Sequence, residues 1–143
     1  MSQTKPKILL VEDEPAIQDI FKEYFSQIYD IVSALNGKEA LKVLEQNSDV
    51  DCIVMDYNMP DMKGTEFLEE QKQIEKIKNI PVVMHTAQPD FFLLPSLPAD
   101  APIAGYIKKP ANLNSVSSII EKALTNTKAE IEVMRQRIID AQK

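Results

Sequence analysis

The chain has 143 residues, 44% hydrophobic and 27% charged, a length and balance that suit one globular domain with a tail and exclude two domains of ordinary size. No apolar run approaches the roughly 20 residues that span a bilayer, and the opening MSQTKPKILLVEDE turns acidic after a short apolar run, unlike a signal peptide; the expectation is a cytoplasmic protein with no membrane association. The net charge of −6, with no clustered basic stretch, argues against direct nucleic-acid binding, because a phosphate-binding surface concentrates Lys and Arg.

KILLV (7–11) reads as a strand, and 14–28 as a helix with Pro15 near its first position and Ile17, Ile20, Phe21, Tyr24 and Ile28 on its inward face. A strand over 29–35 precedes a helix over 37–47 that turns Ala40, Leu41 and Leu44 inward. The third strand, DCIVMD (51–56), contains Cys52, a buried thiol that has no second cysteine to pair with. A helix over 64–77, strands over 80–86 and 103–109, and a helix over 112–124 complete the pattern. Strands alternating with helices imply right-handed crossovers, hence an α/β fold with a doubly wound, five-stranded parallel sheet. The common strand order is 2-1-3-4-5, and ligands then bind outside the carboxyl ends of strands 1 and 3.

Those strand ends carry acids. Ile53, Val54 and Met55 run without interruption into Asp56, and strand 1 ends at Glu12 and Asp13. A lone aspartate after a strand is ordinarily a turn-former, but three converging carboxylates repel one another unless a cation or a proton neutralises them. All-oxygen ligation suits Mg²⁺. Strand 4 ends at the Thr86 hydroxyl and strand 5 at the Lys109 ammonium. A metal, a hydroxyl donor and an ammonium around one carboxylate are the parts that stabilise a transferring phosphoryl group, with Asp56 as its nucleophile.

The motifs LLVEDE, VMDYNMPDMKG, VVMHTA and GYIKKP, in this order over roughly residues 5–125, resemble those of a response-regulator receiver domain of two-component signalling. The resemblance implies a flavodoxin- or CheY-like fold with Asp56 as the phosphoacceptor. It implies Mg²⁺ on Asp13, Asp56 and the backbone carbonyl of Asn58, with Glu12 acting through a metal-bound water; the family often has two aspartates where this chain has Glu12 and Asp13. Thr86 and Lys109 are expected on phosphoryl oxygens, with a cis Lys109–Pro110 peptide, and Thr86 and Tyr106 as the switch pair. The implied donor is a histidine kinase or a histidine phosphotransfer protein, and the implied role is a switch that slowly dephosphorylates itself, not an enzyme that turns over metabolites. An aspartyl-phosphate hydrolase ordinarily has a second acid where this chain has Asn58. A degenerate receiver acting only as a phosphorylation-independent interaction or dimerisation module is the alternative.

Four nearby residues are read separately. Strand alternation points Lys108 away from the site and His85 to the face opposite Thr86, where a packing role outweighs a chemical one. Asn58 and Gln88 border the expected acyl phosphate.

The chain departs from the family between Thr86 and Lys109, where Pro89, Pro95, Pro98 and Pro102 interrupt AQPDFFLLPSLPADAPIAG. Each proline inside a helix costs about 3 kcal/mol, so a shortened or irregular fourth helix is expected, at most Asp90 to Leu94. Phe91, Phe92, Leu93 and Leu94 either cover the sheet or form a contact patch. The extension at 126–143 continues the last helix, with Ser117, Ile120, Leu124, Thr127, Ile131, Met134, Ile138 and Ala141 at coiled-coil spacing. A solvated helix, a linker to an effector domain and a homodimer through this helix or the 89–103 region all stay open.

Overall fold

The computed structural model describes residues 5–57, 62–86, 101–109 and 112–125, together with Val133, Gln136 and Asp140. Five parallel strands, β1 (Lys7–Val11), β2 (Asp30–Ala34), β3 (Cys52–Asp56), β4 (Val82–Thr86) and β5 (Ile103–Lys108), form one sheet in the order β2-β1-β3-β4-β5. This is the doubly wound α/β arrangement expected. Every residue of β3 and β4 is buried, the reason these two strands read as unbroken apolar runs, whereas the edge strands β2 and β5 are only partly covered.

Alternation along the strands divides the core in two. Leu9, Val11, Ile53, Met55, Val82 and Met84 face helices α2 (Gly37–Gln46) and α3 (Gly64–Lys72), meeting Ala40, Leu44, Phe67 and Leu68. Ile8, Leu10, Val54, Val83 and Ile107 face α1 (Pro15–Phe25) and the last described helix, α4 (Leu113–Thr125), meeting Phe21, Phe25, Val116 and Ile120. Full burial of a side chain such as Phe25 contributes about 1.5–3 kcal/mol, so the two layers share the driving force for folding. At the start of α2, the Asn36 side chain accepts from the Glu39 amide at 2.9 Å, and Glu39 accepts from the Leu35 amide at 3.2 Å.

The inward face of α1 differs from the expected one. Gln18, Phe21 and Phe25 are buried, while Ile20, Tyr24 and Ile28 are 53%, 47% and 49% exposed. The stripe is shifted because a glutamine takes one of its places: the Gln18 amide donates to the backbone oxygens of Glu12 at 2.8 Å and Ala34 at 3.0 Å. The helix also stops at Phe25, whose carbonyl accepts from both Ile28 and Tyr29. Two tyrosines then tie this end of the layer to α4, Tyr24 to Asn114 and Tyr29 to Glu121 at 2.5 Å.

Helix α3 ends at Lys72 and not at 77. The reason is Gln71, fully buried, whose side-chain amide donates to the carbonyls of Ile77 at 2.9 Å and Ile80 at 3.1 Å and folds the following turns back toward β4. The helix starts where a side chain has no room: a Cβ on Gly64 falls 2.9 Å from the Tyr57 ring, and the Gly64 amide donates to the Tyr57 carbonyl at 3.0 Å.

The first part of the expected coiled-coil seam belongs to the domain itself. Ile120 is buried and Leu124 packs half-buried against the same cluster, so both contribute to the domain's own core. The other seam positions beyond Leu124, the expected short helix at 90–94 and most of the 89–103 region lie outside the described residues. No helix among the described residues is long and apolar enough to cross a membrane.

Replacing Gln71 with Ala removes the side-chain donor to the Ile80 carbonyl and one of two donors to the Ile77 carbonyl, which keeps the Ile80 amide at 3.1 Å. The expected cost is about 2–4 kcal/mol, read as a lower urea midpoint at unchanged slope.

Candidate functional site

The carboxyl ends of β1 and β3 bring three acids together. The Glu12 amide donates to the Ala34 carbonyl at 3.0 Å, which continues the β1–β2 pairing by one residue and fixes where Glu12 and Asp13 leave the sheet. Gln18, bonded to the Glu12 carbonyl, secures the same point from α1. Carboxylate oxygens of Glu12, Asp13 and Asp56 all lie within 4.8 Å of one another, with Glu12 and Asp56 buried and Asp13 exposed. Such a cluster could hold a metal ion, and the donor set, all oxygen with one member open to solvent, fits a hard cation such as Mg²⁺.

Lys109 supplies the positive charge. Its amide donates to the Thr86 carbonyl at 2.8 Å, which sets the end of β5 against the end of β4, and its Nζ lies 2.6 Å from Asp56 Oδ2. Burial opposes the lysine's charge, but the bond to Asp56 and the fields of Asp56, Glu12 and Asp13 hold it above the ordinary lysine range. One ammonium against three acids leaves negative charge in excess. Burial above all, and then Asp13 and Asp56, push the Glu12 carboxyl up to about 7, against the Glu14 amide and Lys109, which stabilise the ionised form. Its Oε2 accepts from the Glu14 amide at 3.2 Å, while Oε1, buried, has no hydrogen-bond partner among the described residues.

The remaining expected residues divide by face. Thr86 ends β4, buried, and Tyr106 packs half-buried against the cluster that contains Met84. Lys108 is exposed, as its alternation from Lys109 requires. Asn58, Gln88 and the Lys109–Pro110 peptide lie outside the described residues.

His85 occupies a place that sequence reasoning half anticipated. It does lie opposite Thr86, but that is the face of the acids. His85 is the register partner of Asp56, and the backbone of Tyr57 bonds to its carbonyl at 3.1 Å. Its ring, 4% exposed, stands 6.2 Å from the Phe21 ring, and Nδ1 lies 3.9 Å from Glu12 Oε1. Counting by twos from Leu10, Val54 and Val83, which share one cluster, carries Glu12, Asp56 and His85 to the same face. That parity was available in the sequence. The part played by Gln18 had no comparable signal beyond a polar residue interrupting an apolar helix.

Residues 8–121 match the family model described as a response regulator receiver domain. The chain belongs to the response-regulator receiver family. It is 31% identical over 126 residues to hybrid signal transduction histidine kinase D of Dictyostelium discoideum, an alignment covering 88% of this chain and 8% of that protein. With chemotaxis protein CheY1 of Helicobacter pylori the identity is 31% over 84 residues, 57% of this chain and 68% of that one. Among solved structures, chemotaxis protein CheY4 of Vibrio cholerae superposes with a TM-score of 0.77 at 24% identity, covering 85% of this chain and all of that one. This receiver is therefore similar both to chemotaxis proteins and to a small part of a much larger hybrid histidine kinase.

Burial gives the receiver a testable pH response. Burial and then the charge of Lys109 push His85 down to about 4, against the pull of Asp56, from an ordinary value of 6.5. Between these values the unfolded chain takes up a proton that the folded chain refuses, so this contribution is complete above 6.5 and is lost as pH falls toward 4. Glu12, raised from 4.5 to about 7, acts with the opposite sign and favours the folded state as pH falls through that window. In metal-free buffer, lowering the pH from 7 to 5 should therefore destabilise wild type relative to His85→Val by about 2 kcal/mol in urea titrations. Parallel pH responses in the two proteins would contradict a neutral, buried His85.

Proposed function

We propose that this receiver accepts a phosphoryl group on Asp56 from the phosphohistidine of a histidine kinase or histidine phosphotransfer protein in the cytoplasm, and that the modified state redirects a partner or output domain. The observation that carries this reading is the 2.6 Å contact of Lys109 Nζ with Asp56 Oδ2, beside a cluster of acids at the crevice where the strand order reverses.

The chemistry follows from the parts. An Asp56 carboxylate oxygen attacks phosphorus, the P–N bond to the donor imidazole breaks, and the departing nitrogen keeps the electron pair and takes a proton. Lys109, already at the carboxylate, moves its charge to a peripheral phosphoryl oxygen as negative charge spreads there, and the Thr86 hydroxyl donates to another. Asp13 and Asp56 would hold Mg²⁺, with the carbonyl of Asn58 and, through a water, Glu12 as the family resemblance implies, and the ion would supply further neutralisation of charge on the phosphoryl oxygens. The buried Glu12 Oε1, without a hydrogen-bond partner among the described residues, and the gathering of three acids support such a cation.

The output is a change of state and not a released product, so the chain serves as a switch that also helps to catalyse its own modification and slow hydrolysis. When the Thr86 hydroxyl engages the phosphoryl group, the space about β4 and β5 changes, and Tyr106, packed half-buried beside Met84, is placed to respond.

Intact-mass spectrometry after incubation with acetyl phosphate and Mg²⁺ tests the proposal. Wild type should gain one hydroxylamine-labile phosphoryl group, Asp56→Ala none, and Lys109→Ala should react about 100-fold more slowly. If wild type stays unmodified while calorimetry shows Mg²⁺ bound, the phosphoacceptor reading fails and a phosphorylation-independent binding module takes its place.

A further inference from the structure

The buried side of the acid cluster poses a problem that the proposed phosphotransfer leaves unsolved. Glu12 is 1% exposed and has two oxygens to satisfy. Oε2 has the Glu14 amide; Oε1 has no hydrogen bond among the described residues. A buried acceptor left in that state costs about 1–3 kcal/mol, and more when it is charged. The atom that faces it is His85 Nδ1 at 3.9 Å, about 1 Å beyond hydrogen-bond length.

We propose that His85 is a positioning residue for Glu12, its Nδ1–H donating to Oε1 and fixing the carboxylate at the rear of the metal site. The inference rests on the reading of the acid cluster as a cation site. Two observations converge on it. The imidazole is buried against Phe21 and set beside Asp56 by strand register, so the sheet fixes the face on which it stands. Its other nitrogen, Nε2, is buried without a hydrogen-bond partner among the described residues, so only a proton on Nδ1 has an acceptor to meet, and this selects the tautomer. The proposal requires the Glu12 carboxylate to turn about its own torsions until Oε1 meets Nδ1–H, and a carboxylate oxygen that accepts one hydrogen bond retains a lone pair for a metal-bound water. A histidine in a buried layer is then explained by the acid it orients, as outer partners orient metal ligands elsewhere.

The test is calorimetric titration of Mg²⁺ into wild type, His85→Val, His85→Asn, Glu12→Gln and the His85→Val/Glu12→Gln double variant, with thermal melts of each. An asparagine amide can place an N–H near the position of Nδ1, whereas valine fills the strand without a donor. The expected result is about 10-fold weaker Mg²⁺ binding in His85→Val, recovery to near wild type in His85→Asn, and no further loss when His85→Val is added to Glu12→Gln. Equal affinity in wild type and His85→Val overturns the proposal. So does an equal loss in both His85 variants, which would assign the residue to packing alone, or a full loss in the Glu12→Gln background, which would show that His85 does not act through Glu12. Should His85→Val fail to fold, the comparison of His85→Asn in the wild-type and Glu12→Gln backgrounds decides by the same coupling. Absence of Mg²⁺ binding by wild type would overturn the cation site itself, an outcome distinct from all of these.

Discussion

Everything at the carboxyl edge of this sheet depends on a single unfavourable fact: three carboxylates are gathered where like charges repel, and one ammonium answers them. The protein tolerates the arrangement because the backbone imposes it. Glu12 is held by the β1–β2 pairing and Gln18, Asp56 by a strand buried at every position, and Lys109 by its amide on the Thr86 carbonyl. The backbone positions from which these side chains project cannot move apart without disturbing the sheet. Repulsion of this kind favours whatever brings positive charge, and the Lys109 ammonium stands 2.6 Å from Asp56.

Much of this was legible in the sequence, for a physical reason. A parallel sheet covered on both sides writes itself as unbroken apolar runs, and ligand-binding residues must follow those runs directly, so β3 and β4 and the acids, threonine and lysine behind the strands could be placed by counting. The helices were less legible. On α1 the inward stripe is decided by Gln18, whose amide has backbone acceptors that no periodicity reveals, and the apolar Ile20, Tyr24 and Ile28 are left in solvent. The end of α3 is likewise decided by Gln71 and two carbonyls beyond it. Both errors share a cause. Periodicity scores apolar residues, and in each case a buried polar side chain with tertiary partners overruled it.

The tail shows the converse. A spacing compatible with an intermolecular seam began within the domain, where Ile120 and Leu124 are spent on packing α4 against the sheet. Helical spacing states that one face is apolar and leaves open what covers it. The histidine belongs to the same lesson: alternation correctly sent His85 away from Thr86, and only the parity of neighbouring strands shows that the face it packs on is also the face of the acids.

The two sides of the sheet thus carry different work. Glu12, Asp56 and His85 share one side and Tyr106 the other, with the separation maintained by nothing more than the parity of each residue in its strand. A lost or gained residue within β3 or β4 would exchange the two sides at a stroke, turning acid into core and core into acid. Point substitutions can tune this domain one residue at a time, but changes of length cannot. Evolution, or an engineer, is free to lengthen and shorten the chain only between strands, and the interior of each strand is fixed in count as firmly as the reading frame of a gene.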